Sequence, residues 1–286
     1  GWSVAYLVPG WSAGAALRLP LPAGFWLQAA IVVMVVALPI GLAVLGGLHG
    51  KRGASRLAAT LSLLALLGLL FTWPHLAALD NGLLDLLQTV RSERLDRWVV
   101  MVTGLGDRLP QLLAGGLLVL GLLLFSQRRA AVFALASLSL TAVLTGGLKL
   151  LLERPRPAVL LEPLPSFSLP SGHSSAAFAF LLVLGVLAGR GQPPRWRVTW
   201  LILAGMPVAV IALSRIYLGV HWPTDVLAGG LLAGAVCAGC MAWLQRRTTL
   251  PALPARVWWL LLPLVVLVFA GHALWQLPAA LALYRY

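Results

Sequence analysis

The sequence predicts an all-α membrane protein, a polytopic bundle of transmembrane helices. Of the 286 residues, 60% are hydrophobic and only 10% carry a charge. The mean hydropathy of +0.93 is far above that of water-soluble domains. Eight apolar runs follow one another, each close to the ~20 residues that a helix needs to cross ~30 Å of hydrocarbon. The runs cover residues 26–48, 57–73, 109–125, 130–152, 174–189, 198–218, 224–244 and 257–277.

The charges in the connections predict the orientation of the bundle. All eight acidic residues lie in one set of connections or near the helix ends that face them. Lys and Arg collect on the cytoplasmic loops of membrane proteins, so connections with basic residues and no acid are expected in the cytoplasm. Simple alternation of the eight runs gives the same partition. The basic connections are 49–56, 126–129, 190–197 and 245–256.

Two stretches lie outside the runs. Between 74 and 108, apolar residues alternate with charged ones, which predicts an amphipathic helix along the outer interface, acting as a solvated cap. The opening residues 1–14 have neither a starting Met nor a basic segment, so the chain is expected to be part of a longer protein. The letters YLVPGW at 6–11 resemble the end of DedA-type membrane proteins. That resemblance implies a fused or associated DedA-like membrane domain.

Other protein classes do not fit the composition. A formal net charge of +13 would suit nucleic acid, but the basic residues lie in short loops and no soluble domain carries a basic stripe. Nucleic-acid binding is therefore not expected. Cys237 and Cys240 form a CxxC inside an apolar run, without a second pair or polar neighbours. They are interpreted as core residues rather than a redox or metal site.

Three polar clusters interrupt the apolar pattern: KLLLERPRP at 149–157, PSGH at 170–173 and SRIYLGVHWPTD at 214–225. Each cluster lies where a predicted span begins or ends. Alternation of the spans puts all of these ends on the non-cytoplasmic side of the membrane. Ionisable groups at membrane depth are unfavourable, and those that persist usually serve a function. The clusters therefore predict one shared site on the outer face.

Several of these residues suit a phosphate group. Ser171 is a favourable helix N-cap and Gly172 allows a close approach of the backbone, so the helix start would offer free amides to an anion. Lys149, Arg156 and Arg215 would bind the non-bridging oxygens, Lys as a point charge and Arg through its planar fork.

A histidine and an aspartate in the third cluster suit nucleophilic chemistry. Pro223 favours the first helical turn, which places His221 just before the helix and Asp225 about one turn inside it. Asp225 can then orient the imidazole so that its free nitrogen faces phosphorus. Taken singly, Lys149 or Arg215 could be an interfacial snorkel, and Asp225 could complement a helix dipole. Because all of these residues are expected on one side of the membrane, their combination favours one shared phosphate site.

The remaining ionisable groups near the apolar runs have no distinct predicted role. Glu153 and Arg154 within the first cluster, and Glu162 after it, are expected to form ion pairs near the site. Three histidines lie outside the three polar clusters and are interpreted as loop or interface residues: His49, His75 and His272.

The three clusters resemble the KxxxxxxRP, PSGH and SRxxxxxHxxxD signature of the type 2 phosphatidic acid phosphatase (PAP2) superfamily, and no signature letter departs. The resemblance covers roughly residues 57–245 and implies a six-helix phosphatase core there. Residues 1–56 and 246–286 would then each add one extra span to that core.

The resemblance also implies the chemistry, which is that of a metal-independent lipid phosphatase with no cofactor and a phosphohistidine intermediate. His221 would be the nucleophile, Asp225 the carboxylate that orients it, and His173 the general acid. The phosphate ligands would be Lys149, Arg156, Ser171, Gly172 and Arg215.

The predicted function is hydrolysis of a phosphomonoester or diphosphate of a membrane lipid, such as phosphatidic acid, phosphatidylglycerophosphate or a polyprenyl diphosphate. The expected location is the bacterial inner membrane, with the site on the periplasmic face. Two alternatives stay open: a lipid phosphotransferase, and a transporter or flippase that only binds phosphate. A zinc hydrolase built on His173, His221 and Asp225 is disfavoured, because their spacing is not compact and nearby cations would repel a metal.

Overall fold

The structure is a computed structural model that describes residues 21–48, 53–162, 164–246 and 250–285, and this part of the chain is helical with no strand. The letters that resemble DedA-type proteins, at 6–11, and His49 lie outside the described residues. A short 3-10 turn at Trp73–His75 follows the second helix. The helices are α1 (Phe25–Leu48), α2 (Ala54–Thr72), α3 (Ala77–Thr89), α4 (Glu93–Gly104), α5 (Arg108–Leu124), α6 (Arg128–Leu152), α7 (Gly172–Ala188), α8 (Pro194–Tyr217), α9 (Pro223–Leu244) and α10 (Ala255–Leu283).

All eight predicted apolar runs form helices, and among the described residues seven spans are long and apolar enough to cross a membrane. The exception is α7, which has 17 residues. At ~1.5 Å per residue it measures about 25 Å, less than the ~30 Å of hydrocarbon that the run at 174–189 was expected to cross. Its neighbours α6, α8 and α9 cover it, so α7 is an internal helix of the bundle.

The centre of the bundle is α9, which packs against α2, α6 and α7. Small residues let these helices approach closely, as is common between membrane helices. A Cβ atom added at Gly229 would lie 2.9 Å from the carbonyl oxygen of Ser171 and 3.0 Å from Oγ of Ser175. Both distances are shorter than a normal van der Waals contact. Glycine at 229 therefore fixes the beginning of α7 against α9.

The outward faces of the helices are apolar. Phe71 is 80% exposed and Trp259 is 81% exposed, and long Leu, Val and Ile side chains share these faces. A water-soluble protein rarely exposes so much contiguous apolar surface, whereas hydrocarbon accepts it. With the span lengths, these faces identify an integral membrane protein.

The stretch from 74 to 108 departs in part from the predicted solvated cap. It forms two short helices, α3 and α4, and some of its polar residues contact the bundle. Asp80 on α3 is only 2% exposed, and Asp96 on α4 accepts a hydrogen bond from the Tyr217 hydroxyl at 2.8 Å. The interpretation as a solvated cap holds for Asp85 and Arg94, which are exposed. It was wrong for Asp80 and Asp96, because these carboxylates pair with groups at the ends of α8 and α9.

The last helix, α10, packs lengthwise against α4 and α5. It extends further than the run predicted at 257–277, because apolar and small residues continue to Leu283. The next residue, Tyr284, is buried. Its carbonyl accepts a hydrogen bond from Nη2 of Arg91 at 2.6 Å. The C-terminal end of α10 is therefore joined to the same end of the bundle as α3 and α4.

Candidate active site

The three polar clusters meet at one end of the bundle. Lys149 lies in the last turn of α6, α7 begins at Gly172, Arg215 lies in the last turn of α8, and His221 lies directly before α9. Because these four helices alternate in direction, the end of one lies beside the beginning of the next.

His221 is 1% exposed, and its contacts fix which ring nitrogen carries the proton. Nη1 of Arg156 lies 3.0 Å from Nε2 of His221. A guanidinium can only donate, so Nε2 accepts and the proton of the neutral imidazole resides on Nδ1. That nitrogen faces Oδ2 of Asp225 at 3.3 Å. The arrangement leaves the lone pair of Nε2 on the side where Arg156 lies.

Asp225 is completely buried and is held from several directions. Its Oδ2 accepts hydrogen bonds from the backbone amide of Trp222 at 2.9 Å and from the hydroxyl of Ser168. Its Oδ1 accepts from Nη1 of Arg154 at 2.7 Å. A carboxylate fixed in this way holds the imidazole of His221 in one orientation.

Arg154 bridges two buried carboxylates. Its Nη2 lies 2.6 Å from Oδ2 of Asp80, and its Nη1 also donates to the hydroxyl of Thr224 at 2.7 Å. Asp80 in turn accepts from the backbone amide of Thr224 at 2.9 Å. The expected ion pairing of Arg154 is thus observed. Its charge is neutralised by Asp80 and Asp225, so it is not available to a phosphate.

Lys149 and Arg156 hold the connection between α6 and α7. Nζ of Lys149 donates to the carbonyls of Phe167 and Ser168. Nε of Arg156 donates to the carbonyl of Ser166 at 2.7 Å, and its Nη1 donates to the carbonyl of Val220 at 2.6 Å. None of these partners is an acid, so neither cation is neutralised by an ion pair with them.

Arg215 is the third cation and is 1% exposed. Its Nη1 donates to the hydroxyls of Thr103 at 2.7 Å and Tyr284 at 2.9 Å. Its Nε is buried and has no hydrogen-bond partner among the described residues. Buried donors nearly always have partners, so an N–H group of this kind marks a position where an anion would gain a charge-assisted hydrogen bond.

The start of α7, within the PSGH cluster, has fewer free backbone amides than predicted. The Ser171 hydroxyl caps α7 by accepting from the amide of Ser174 at 3.4 Å, as expected for an N-cap. The Ser171 amide donates to the carbonyl of Asp225 at 2.9 Å. Above Gly172, an added Cβ atom would meet only Cε of Lys149, at 3.9 Å. The open side of this helix start is therefore at Gly172, facing Lys149.

His173, the next residue, contacts a carboxylate that the sequence did not single out. Its Nε2 lies 2.7 Å from Oδ1 of Asp107, at the N-cap of α5. The other oxygen of Asp107 lies 2.9 Å from Nε2 of His272, on α10. The interpretation of His272 as a loop or interface residue was wrong, because the residue is buried and paired inside the bundle. His75, by contrast, is exposed, as expected.

The cations set the electrostatics around His221. Its burial, together with the charges of Arg156, Arg215 and Lys149, lowers the pKa of His221 well below its ordinary value. Burial and Arg215 also lower the pKa of Arg156 to about 10, so Arg156 remains charged at neutral pH. A neutral imidazole beside these cations is suited to attack an anionic phosphate.

The predicted site residues fall into one neighbourhood, but sequence reasoning missed four of their partners: Asp80, Asp107, Ser168 and His272. A signal existed for two of them. His272 is an ionisable residue within an apolar run, and Asp107 lies at the edge of another, where function is the default expectation. Nothing local distinguishes Asp80 or Ser168, because their partners lie far away in the sequence.

The fold and site together define a class: an integral membrane protein that gathers cations, a buried His–Asp pair and a helix N-terminus at one end of its bundle. Residues 130–249 match the profile of the PAP2 superfamily. This match confirms the resemblance that the three clusters predicted. The described helices before 130, and α10 after it, lie outside the matched residues.

Named relatives align with parts of this chain. An undecaprenyl-diphosphatase of Sulfolobus acidocaldarius is 42% identical over 77 residues, which are 27% of this chain and 34% of the relative. A phosphatidylglycerophosphatase B of Bacillus subtilis is 40% identical over 86 residues, 29% of this chain and 42% of the relative. The chain thus spans less than half the length of either relative.

A solved structure is similar in fold. The transmembrane PAP2-type phosphatidylglycerolphosphate phosphatase from Bacillus subtilis superimposes with a TM-score of 0.61 at 24% identity, covering 67% of this chain and 98% of that chain. The membrane bundle described above is therefore similar in fold to this phosphatase.

Proposed function

We propose that this protein is a membrane lipid phosphatase that removes a phosphomonoester or diphosphate group through a phosphohistidine intermediate. The observation that carries the proposal is the buried His221, whose proton is fixed on Nδ1 by Asp225 while Nε2 faces the cations. A pocket that only binds phosphate has no need of a fixed, neutral nucleophile. The names of the relatives support lipid phosphates as the substrate class.

The proposed reaction has two steps. Nε2 of His221 attacks phosphorus, the bond to the lipid oxygen breaks, and His173 gives its proton to that oxygen. Water then attacks the phosphohistidine, returns a proton to His173, and releases inorganic phosphate and neutral His221. Lys149, Arg156 and Arg215 stabilise the charge that builds up on the equatorial oxygens, with the helix start at Gly172.

The substrate is expected to enter sideways from the membrane, because the site lies at the helix ends near the headgroup layer. Pulling lipid chains into water would cost about 0.8 kcal/mol per CH₂. Dioleoyl phosphatidic acid and undecaprenyl diphosphate should therefore be hydrolysed with kcat/KM at least ~10-fold above that of glycerol 3-phosphate. The measurement is inorganic phosphate released by the purified protein in liposomes.

Three outcomes of that assay would contradict parts of the proposal. Equal hydrolysis of glycerol 3-phosphate would refute lateral entry. Binding of lipid phosphate without any phosphate release would favour the transporter or flippase. Transfer of the phosphoryl group to an added lipid alcohol, in place of release, would favour the phosphotransferase.

The acid limb of the pH profile of kcat/KM should report the protonation of His221. Because its pKa is depressed, His221 stays neutral, and competent for attack, at pH values below the ordinary histidine range. Arg156→Gln removes one of the cations that disfavour the imidazolium, so the pKa of His221 rises and the acid limb moves to higher pH. The measurement is the kcat/KM profile, with the exposed Arg195→Gln as the control. An acid limb that stays in place would contradict this electrostatic account.

The site is proposed to face the periplasm of a bacterial inner membrane, since the four connections rich in Lys and Arg lie at the opposite end of the alternating spans. Single cysteines at two exposed positions, Ser126→Cys and Glu162→Cys, test this in a background lacking Cys237 and Cys240. An impermeant thiol reagent should label position 162 in intact cells and leave position 126 unlabelled. The reverse pattern would place the site in the cytoplasm.

The division into a phosphatase core at 57–245, with additions at 1–56 and 246–286, remains part of the proposal. So does a DedA-like domain, fused or associated, at the N-terminal side. Expression of residues 57–245 alone, compared with the whole chain in the liposome assay, tests whether that core is sufficient. Full activity of the shorter chain would show that the additions only anchor it, whereas a loss of activity would show that α10 contributes to the site.

A further inference from the structure

Two polar contacts connect the proposed general acid, His173, to the helix α10. His173 on α7, Asp107 at the N-cap of α5 and His272 on α10 are joined by contacts of 2.7 Å and 2.9 Å, one to each carboxylate oxygen. The His272 side chain is 7% exposed and that of Asp107 is 31% exposed. Asp107 also borders a cavity of about 320 Å³ between α4 and α10. Asp107 and His272 therefore lie between His173 and the cavity that α10 helps to form.

The contacts assign different roles to the two ring nitrogens of His173. A carboxylate accepts, so each imidazole donates through its Nε2–H group to Asp107. Asp107 thus occupies Nε2 of His173 and leaves Nδ1 as the nitrogen that can donate to the lipid oxygen. A general acid must present its proton in a fixed direction, and Asp107 provides that constraint.

The charges around His173 give Asp107 a second role. Arg215 and Arg156 act on His173 from α8 and from the connection after α6, and the His221 imidazole before α9 is also within electrostatic reach. Burial of the ring and both guanidinium groups oppose a proton on His173. Asp107 is the opposing charge in contact with the ring, and an anion at this distance favours the protonated imidazole.

We infer that Asp107 and His272 are positioning residues for the general acid: Asp107 orients His173 and favours its protonated form, and His272 holds Asp107 in place. The inference rests on the proposed function. It gives α10, which lies outside the matched residues 130–249, a part in the reaction. The contact between the Tyr284 hydroxyl and Arg215 supports this, because it ties the end of α10 to a second site residue.

The test compares variants of the full chain on dioleoyl phosphatidic acid, with kcat and KM measured from mildly acidic to mildly alkaline pH. His272→Phe removes the hydrogen bond and keeps a ring, and should lower kcat about tenfold with little change in KM. His272→Gln can still donate to Asp107 and should recover most of kcat. Asp107→Asn should lower kcat by roughly 10² and move the basic limb to lower pH, since His173 loses its proton more easily. The control is His75→Phe, at an exposed position.

Several results would overturn the inference. One is a His272→Phe profile that superimposes on the wild type. Another is a loss in His272→Gln as large as in His272→Phe, with the basic limb unmoved, which would indicate packing alone. If His272→Phe does not fold, a basic limb that stays in place in Asp107→Asn contradicts the inference equally. Failure of the proposed function looks different, because the wild type itself would then release no phosphate, or His221→Ala would release as much as the wild type.

Discussion

His221→Ala should lower the turnover of lipid phosphate by roughly 10⁴-fold or more, because the covalent intermediate can no longer form. Stability should change little. Asp225 keeps its hydrogen bonds from Trp222, Ser168 and Arg154 in this variant, so no buried charge loses all of its partners. The measurements are phosphate release at saturating substrate and the thermal unfolding midpoint in the same detergent.

The control for this prediction is His75→Ala, at an exposed histidine on the same side of the predicted membrane. A complementary measurement is the trapping of phosphoenzyme from radioactive substrate. His173→Ala should still accumulate label from a substrate with a good leaving group, whereas His221→Ala should not. Wild-type turnover by the purified His221→Ala protein would refute the mechanism.

Arg154→Met should destabilise the protein by about 3–5 kcal/mol, because it leaves two carboxylates buried without a counter-charge. Asp80 is 2% exposed and Asp225 is fully buried, so water cannot replace the guanidinium. Activity should fall as well, since Asp225 loses one of the contacts that fix it. The measurement is the free energy of unfolding in detergent, together with phosphate release.

Two further variants sharpen that prediction. Arg195→Met, at an exposed position of α8, should change stability by no more than about 0.5 kcal/mol. Arg154→Lys keeps the charge but lacks the planar fork that reaches both carboxylates, so its stability should fall between the wild type and Arg154→Met. If Arg154→Met were as stable as the wild type, the ion-pair network would have no structural role.

The contacts in this site that the sequence predicted join residues that lie close together in the sequence. His221 and Asp225 are one helical turn apart, and Ser171 directly precedes the helix that it caps. In an apolar chain such polar clusters are conspicuous, because hydrocarbon tolerates few charges. The alternation of spans then brings the clusters to one end without knowledge of the packing. The same reasoning predicted eight membrane spans, and among the described residues seven helices are long and apolar enough to be spans.

The parts that the sequence did not predict depend on long-range packing. Arg154 bridges Asp80 and Asp225, and the pairing of Arg154 with Asp80 follows only from the way α3 lies against α9. His272 acquires its partner because α10 packs beside α5. The shorter length of α7 has the same origin, since a helix enclosed by α6, α8 and α9 need not match the thickness of the bilayer. No local pattern encodes these neighbours.

The hydrogen bonds of Lys149 and Arg156 have a consequence for affinity. Both cations bind carbonyl oxygens of the protein's own chain, at Phe167, Ser168, Ser166 and Val220. A phosphate group that binds Arg156 would have to displace some of these oxygens, so at that residue the gain is only the difference between two sets of bonds. In the proposed reaction, the return of the carbonyl oxygens would favour the release of inorganic phosphate. Weak inhibition by free phosphate is therefore expected.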